Sequence, residues 1–142
     1  MNGGRLFLFN ANAASWAFAP TGMVKVASGA TLDLTEIPDA NVSFRGLEID
    51  MTAGAGTITH FAPAANGTLR IVNADPAIVD ANGKLSGRIA LPLTVSSVGN
   101  LTNLATWTVE VDGVIQRGAT IARRDDGVFT ISRTDPTVLS FR

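Results

Sequence analysis

The chain has no cysteine and no tyrosine, a single histidine, and lysine only at positions 25 and 84. Without thiols, neither a disulfide framework nor a thiolate metal site supports the fold, and 142 residues must be held by their own core. A lone histidine, His60, means that any histidine-based triad or zinc site has to be built around that one position. Charge is scarce too: 16% of residues are charged, against roughly 25% in an average soluble domain. Eleven basic and twelve acidic residues leave a net charge of −1, which offers no broad attraction to nucleic acid or to anionic lipid. No segment approaches the roughly 18 continuous apolar residues of a membrane-spanning helix. No run shows apolar residues at helical spacing over several turns.

What is abundant is two-residue alternation led by glycine. In GATLDL (Gly29–Leu34) Leu32 and Leu34 share one face and Thr31 and Asp33 the other. GLEIDM (Gly46–Met51), GTITHF (Gly56–Phe61), GTLRIV (Gly67–Val72) and GRIALPL (Gly87–Leu93) repeat the pattern. The leading glycines Gly29, Gly46, Gly67 and Gly87 are 17, 21 and 20 residues apart. A short strand per coil with glycine at the corner is the signature of a β-solenoid, in which Val42–Phe44 and Thr57–Phe61 lie on a second face. A β-sandwich is the alternative, because strand spacings of about 8–12 residues also sum to about twenty. The expected core is Leu32, Leu34, Leu47, Ile49, Ile58, Leu69, Ile71, Ile89 and Leu91.

The last third changes character. Between Thr106 and Ser132, Asp112-Gly113 and Asp126-Gly127 are hairpin turn signals flanked by alternating residues. They predict an antiparallel meander with strands at Thr106–Val111, Val114–Gln116, Ala119–Arg123 and Val128–Ser132, followed by one at Val138–Phe141. Residues 1–104 thus read as solenoid coils and 105–142 as capping hairpins of the same structural domain. At the other end, LFLFNANAASWAF finishes in Ala17-Phe18-Ala19, a small-residue pattern like a signal-peptidase site. Asn10, Asn12 and Ser15 interrupt that run, and a first strand at Leu6–Phe9 is the better reading.

The stretch VASGATLDL (Val26–Leu34), the Gly-led strands after it, and NGTLRIV (Asn66–Val72) together resemble the autotransporter-associated β-strand repeat of large bacterial surface proteins. Residues 24–34 match the repeat well and residues 66–72 in part, and TWTVEVDG resembles the close of such regions. The resemblance implies a short right-handed β-helix with an antiparallel C-terminal cap. It also implies an extracellular or cell-surface location and a structural or adhesive role within a longer protein. Neighbouring domains and glycans or other cell-surface components would be the partners. The family has no shared catalytic residues, so no catalysis, metal or cofactor is expected.

Several residues carry chemistry on their own account. Stacking of GATLDL on GLEIDM would bring Asp33 over Glu48 or Asp50, with Arg70 and Arg88 following. That stripe could serve a polysaccharide-degrading enzyme, but it suits a solvated face of paired charges better. Trp16, in an irregular Ala-rich stretch, is the candidate glycan-stacking platform and would serve equally in a carbohydrate-binding β-sandwich. Trp107 alternates with Val109 and Val111 and is expected in the core. The acidic turns at Asp75–Gly83 and Asp125-Asp126 lack calcium-loop spacing and read as turn formers. The Asn-x-Ser/Thr triplets at Asn41, Asn66 and Asn100 arise readily in so Asn- and Thr-rich a chain.

Overall fold

The computed structural model describes residues 5–7 and 17–133. Alternation becomes strand throughout: β1 (Arg5–Phe7), β2 (Thr31–Asp33), β3 (Phe44–Asp50), β4 (Gly56–Ile58), β5 (Pro63–Val72), β6 (Arg88–Val95), β7 (Thr108–Val111), β8 (Val114–Ile115), β9 (Ala119–Arg123) and β10 (Val128–Arg133). Helical structure among the described residues is limited to 3-10 turns at Asp39–Asn41, Pro76–Ile78 and Thr102–Thr106. The protein is all-β, with two mixed sheets in the orders β1-β2-β4-β6-β10-β9 and β3-β5-β7-β8.

From β2 to β7 successive strands fall in alternate sheets, and within each sheet they pair in parallel. Arg5 lies beside Thr31 and Thr31 beside Thr57, each 26 residues on; Leu47 lies beside Leu69, 22 residues on. The fourth passage is longer: Ile58 meets Val95 and Leu69 meets Val109. Isolated parallel bridges join Phe18 to Val42, Val24 to Leu47 and Phe61 to Val98.

Apolar positions of both sheets meet in one core. All nine residues expected there are buried, from Leu69 and Ile58 at 0% exposure to Ile89 at 9%. A chain of rings crosses it: Phe18 to Phe44 at 5.3 Å, Phe44 to Phe61 at 4.8 Å, and Phe61 edge-on to Phe129 at 5.2 Å. Trp107 packs against Phe61 at 6.0 Å, is buried as expected, and donates its indole N–H to Ala64 O at 2.7 Å. This satisfies its one polar atom where water is excluded.

The leading glycines divide into two roles. Gly29 and Gly87 turn corners with φ of 74° and 79°, a region closed to most side chains. Gly46 and Gly67 instead sit inside β3 and β5, where a Cβ would overlap Met23 Sδ and the Trp107 indole. The expectation that all four make corners is corrected accordingly. Gly46 and Gly67 are small because neighbouring side chains lie across the backbone.

Three other expectations change. GATLDL and GLEIDM do not stack, because β2 and β3 belong to different sheets. Asp33 does not face solvent: it is fully buried, its Oδ1 accepting from Thr35 N and Thr35 Oγ1, so that it closes the turn after β2. The meander is split. The Asp112-Gly113 turn joins β7 to β8 in the four-stranded sheet, while Asp126-Gly127 joins β9 to β10, and β10 lies antiparallel on β6. Strand β7 starts at Thr108 because the 3-10 turn occupies 102–106, and β8 stops at Ile115 because the Gln116 side chain turns inward. Gln116 bonds Leu85 N, Gly83 O and Val114 O, tying the excursion between β5 and β6 to the hairpin. The strand expected at 138–141 lies outside the described residues, as do residues 8 and 9 of the first.

Candidate functional site

The outer face of the four-stranded sheet carries a ladder of alternating charge. Val24 bridges Leu47, Glu48 is in register with Arg70, and Arg70 with Glu110. Lys25 Nζ lies 3.7 Å from Glu48 Oε2, Arg70 Nη1 3.9 Å from Glu48 Oε1, and Arg70 Nε 3.6 Å from Glu110 Oε1. Arg70 therefore sits between two carboxylates on flanking strands. Every member is partly exposed, so each pair contributes only about 0.2–1 kcal/mol and weakens in salt. Lys25 and Glu110 continue the stripe beyond the residues the sequence singled out. Arg88 does not join it, because β6 belongs to the other sheet.

At the end of the same strands a polar seam forms. Asp50 Oδ1 accepts from Thr52 N, Thr52 Oγ1 and Asn73 Nδ2, and the Asp112 carboxylate accepts from Asn73 N and Ala74 N. Hydrogen bonds from Thr52 and then Asn73 favour the ionised form and lower the Asp50 pKa to about 2. That is opposite to what an acid catalyst needs. Asp33, Glu48 and Asp50 are each committed to a different local task and do not converge on a shared centre. The acidic turns behave as turns: Asp80 accepts from Asn82 N and Lys84 N, Asp126 accepts from Arg124 and Val128 N, and the pKa of both falls below the usual carboxylate range. No group of three or more metal-ligating side chains occurs among the described residues. Trp16, the candidate stacking platform, lies outside them.

The third constellation was not visible in the sequence. His60 follows β4 and is 5% exposed; its Nδ1 lies 2.9 Å from Ser97 Oγ, and its Nε2 lies 3.6 Å from Asp39 Oδ1. The second separation is beyond hydrogen-bond reach, and Nε2 is buried with no partner. Ser97 is exposed at the end of β6, and the Asp39 side chain, on the 3-10 turn before β3, is 80% exposed. The parallel bridge between Phe61 and Val98 brings His60 and Ser97 together across 37 residues. Beside them opens a groove of about 360 Å³, bounded by Asp39, Ala62, Pro63, Gly99, Asn100 and Asn103 among others.

No helix among the described residues is long and apolar enough to cross a membrane. Comparison of the chain with family models, curated proteins and solved structures finds no match. None of the three comparisons supports the likeness to the bacterial surface repeat.

Proposed function

We propose that the chain is a structural and adhesive module of a larger bacterial extracellular or surface protein, wound as a short right-handed β-helix closed by antiparallel hairpins and without catalysis of its own. One observation carries this reading: strands β2 to β7 alternate between two sheets while pairing in parallel, with partners 22–26 residues away in the first two pairings and 37–40 residues away in the last two. Coils of a solenoid produce that arrangement, whereas sandwich sheets are mainly antiparallel. The outward ladder Lys25–Glu48–Arg70–Glu110 supports it, because charges of opposite sign repeat from one coil to the next. Such a module works by spacing and presentation, its outer positions making weak contacts that gain strength by repetition. The test is binding of the purified protein to a panel of glycans and polysaccharides, with reducing-end release followed in the same wells. Binding without release is expected; release would overturn the non-catalytic reading, and silence on every glycan would overturn the adhesive one.

A further inference from the structure

An Asn-Gly pair is chemically reactive in itself, because glycine has no side chain to hinder its nitrogen from attacking the asparagine carboxamide. The chain holds three such pairs, at Asn2, Asn66 and Asn82, of which the first lies outside the described residues. The dipeptides at Asn66 and Asn82 are identical, so only the fold can separate them.

Asn82 sits at an exposed loop of Ala81, Asn82 and Gly83, with Asp80 N donating to Lys84 O at 2.8 Å across its base. Its carboxamide has no partner among the described residues and is free to turn toward Gly83 N. That nitrogen donates to Asp80 O at 2.9 Å, so the reaction requires the loop to open. The Asp80 side chain reinforces the loop only through exposed hydrogen bonds, from Asn82 N and Lys84 N, and such segments open far more cheaply than the core. Asn66 is placed otherwise. It lies inside β5, which pairs with β3 on one side and β7 on the other, and its backbone N–H donates to Thr106 Oγ1. Gly67 is buried with the Trp107 indole across it, so moving its nitrogen means displacing the indole and breaking the sheet. The Asp-Gly pairs close the same ring only from an uncharged carboxyl group. Hydrogen bonds from Arg124 lower the Asp126 pKa, and the Asp112 carboxylate is anchored by Asn73 N and Ala74 N.

We propose that Asn82 is a site of spontaneous backbone modification, converting to isoaspartate through a succinimide formed with Gly83. The Gly83 nitrogen gives its proton to hydroxide and bonds to Asn82 Cγ, and the carboxamide nitrogen leaves as ammonia after taking a proton from water. Water then opens the ring. Cleavage at the main-chain carbonyl leaves the chain running through Cγ as isoaspartate, whereas cleavage at Cγ gives aspartate. In sum, one water is consumed and one ammonia released. Isoaspartate lengthens the loop by a methylene and adds a carboxylate facing Asp80. The bonds to Asp80 Oδ1 are lost, and Gly83 O is drawn away from Gln116 Nε2, so the excursion between β5 and β6 is released from the β7–β8 hairpin.

The test is storage of the purified protein in warm, mildly alkaline buffer, followed by tryptic mapping with mass spectrometry and electron-transfer fragmentation to locate isoaspartate. Asn66 and Asn82 fall on separate peptides, 46–70 and 71–84. In the folded protein residue 82 should convert roughly tenfold or more faster than residue 66, and in concentrated urea the two should convert at comparable rates. Equal rates in the folded protein would overturn the assignment. A gap that persists in urea would equally overturn it, by placing the difference outside the fold. Asn82→Ser, stored alongside, should show no conversion at that position. Amide exchange at Leu85, whose N–H is held by Gln116 Oε1, should be faster in the isoaspartyl protein than in Asn82→Ser; equal exchange would overturn the release of the excursion.

Discussion

Gly67 is the position where the fold is least forgiving of a single methyl group. It lies in β5 with no left-handed backbone angle, so Gly67→Ala carries no conformational penalty of its own. The added Cβ would overlap Cε2, Cζ2 and Nε1 of Trp107. The indole cannot swing away freely, because its N–H is held by Ala64 O at 2.7 Å and its ring meets Phe61 in a T-shaped contact. Overpacking of a well-filled core costs about 1–3 kcal/mol. Loss of the indole hydrogen bond adds about 1 kcal/mol, and the stiffer unfolded chain returns about 0.4–1 kcal/mol. The net is a destabilisation of about 1–3 kcal/mol, which for a chain of this size lowers Tm by roughly 4 °C per kcal/mol. Thermal unfolding followed by near-ultraviolet circular dichroism reads this directly. Gly22→Ala, where no atom lies within 4 Å of the new Cβ, is the control and should melt within a degree or so of the parent. If the contact is the cause, adding Trp107→Leu to Gly67→Ala should cost less than Trp107→Leu costs in the parent, a coupling of about 0.5–3 kcal/mol. A parental melt for Gly67→Ala, or strict additivity in the double variant, would refute the argument.

Three further outcomes are expected. Asp50 has a folded pKa near 2 against an ordinary value of 3.8, so its contribution is present above about pH 4 and is lost as pH falls through 2; the urea midpoint should therefore decline over that window, and less steeply in Asp50→Asn. Arg70→Met should destabilise by about 0.5–1.5 kcal/mol at low salt through its two carboxylate partners, with the difference from the parent shrinking in 0.5 M NaCl; a salt-independent loss would show that the aliphatic stem, not the charge, matters. Gln116→Leu leaves Leu85 N, Gly83 O and Val114 O without their side-chain partner in a buried setting and should cost about 2–4 kcal/mol, with faster amide exchange at Leu85; unchanged exchange there would count against the role given to the side chain.

Faces proved easier to read from the sequence than neighbours. Period-two alternation fixes which side of a strand is buried, and Leu32, Leu47, Leu69 and Ile89 all lie where that rule puts them. It says nothing about which sheet a strand joins. GATLDL and GLEIDM look like successive turns of one ladder, yet they lie on different sheets, and GLEIDM pairs instead with GTLRIV. The ladder Glu48–Arg70 follows from that pairing and could be read once it is known; Lys25 and Glu110 then fall on the same line. Asp33 departs from alternation because a short acidic side chain bonds the turn two residues on, a local competition that periodicity does not register. The Asp-Gly turns were legible since their chemistry is local. His60, Ser97 and Asp39 were not, because nothing in the residues between them encodes a meeting across 21 and 37 positions.

The split of the two hairpins between the sheets has a consequence for the route by which the molecule assembles. Strands β7–β8 and β9–β10 meet across tight turns and can form alone in about 1–10 μs. Every parallel pair joins residues 19 or more positions apart, so a long loop has to close before any ladder bond rewards it. Each sheet thus owns one fast, local template, and the slow strands can add to it in turn: β6 onto β10, β4 onto β6, and β5 onto β7. Assembly then proceeds from the later residues toward the earlier ones, against the direction of synthesis. On that route the early strands gain their partners last.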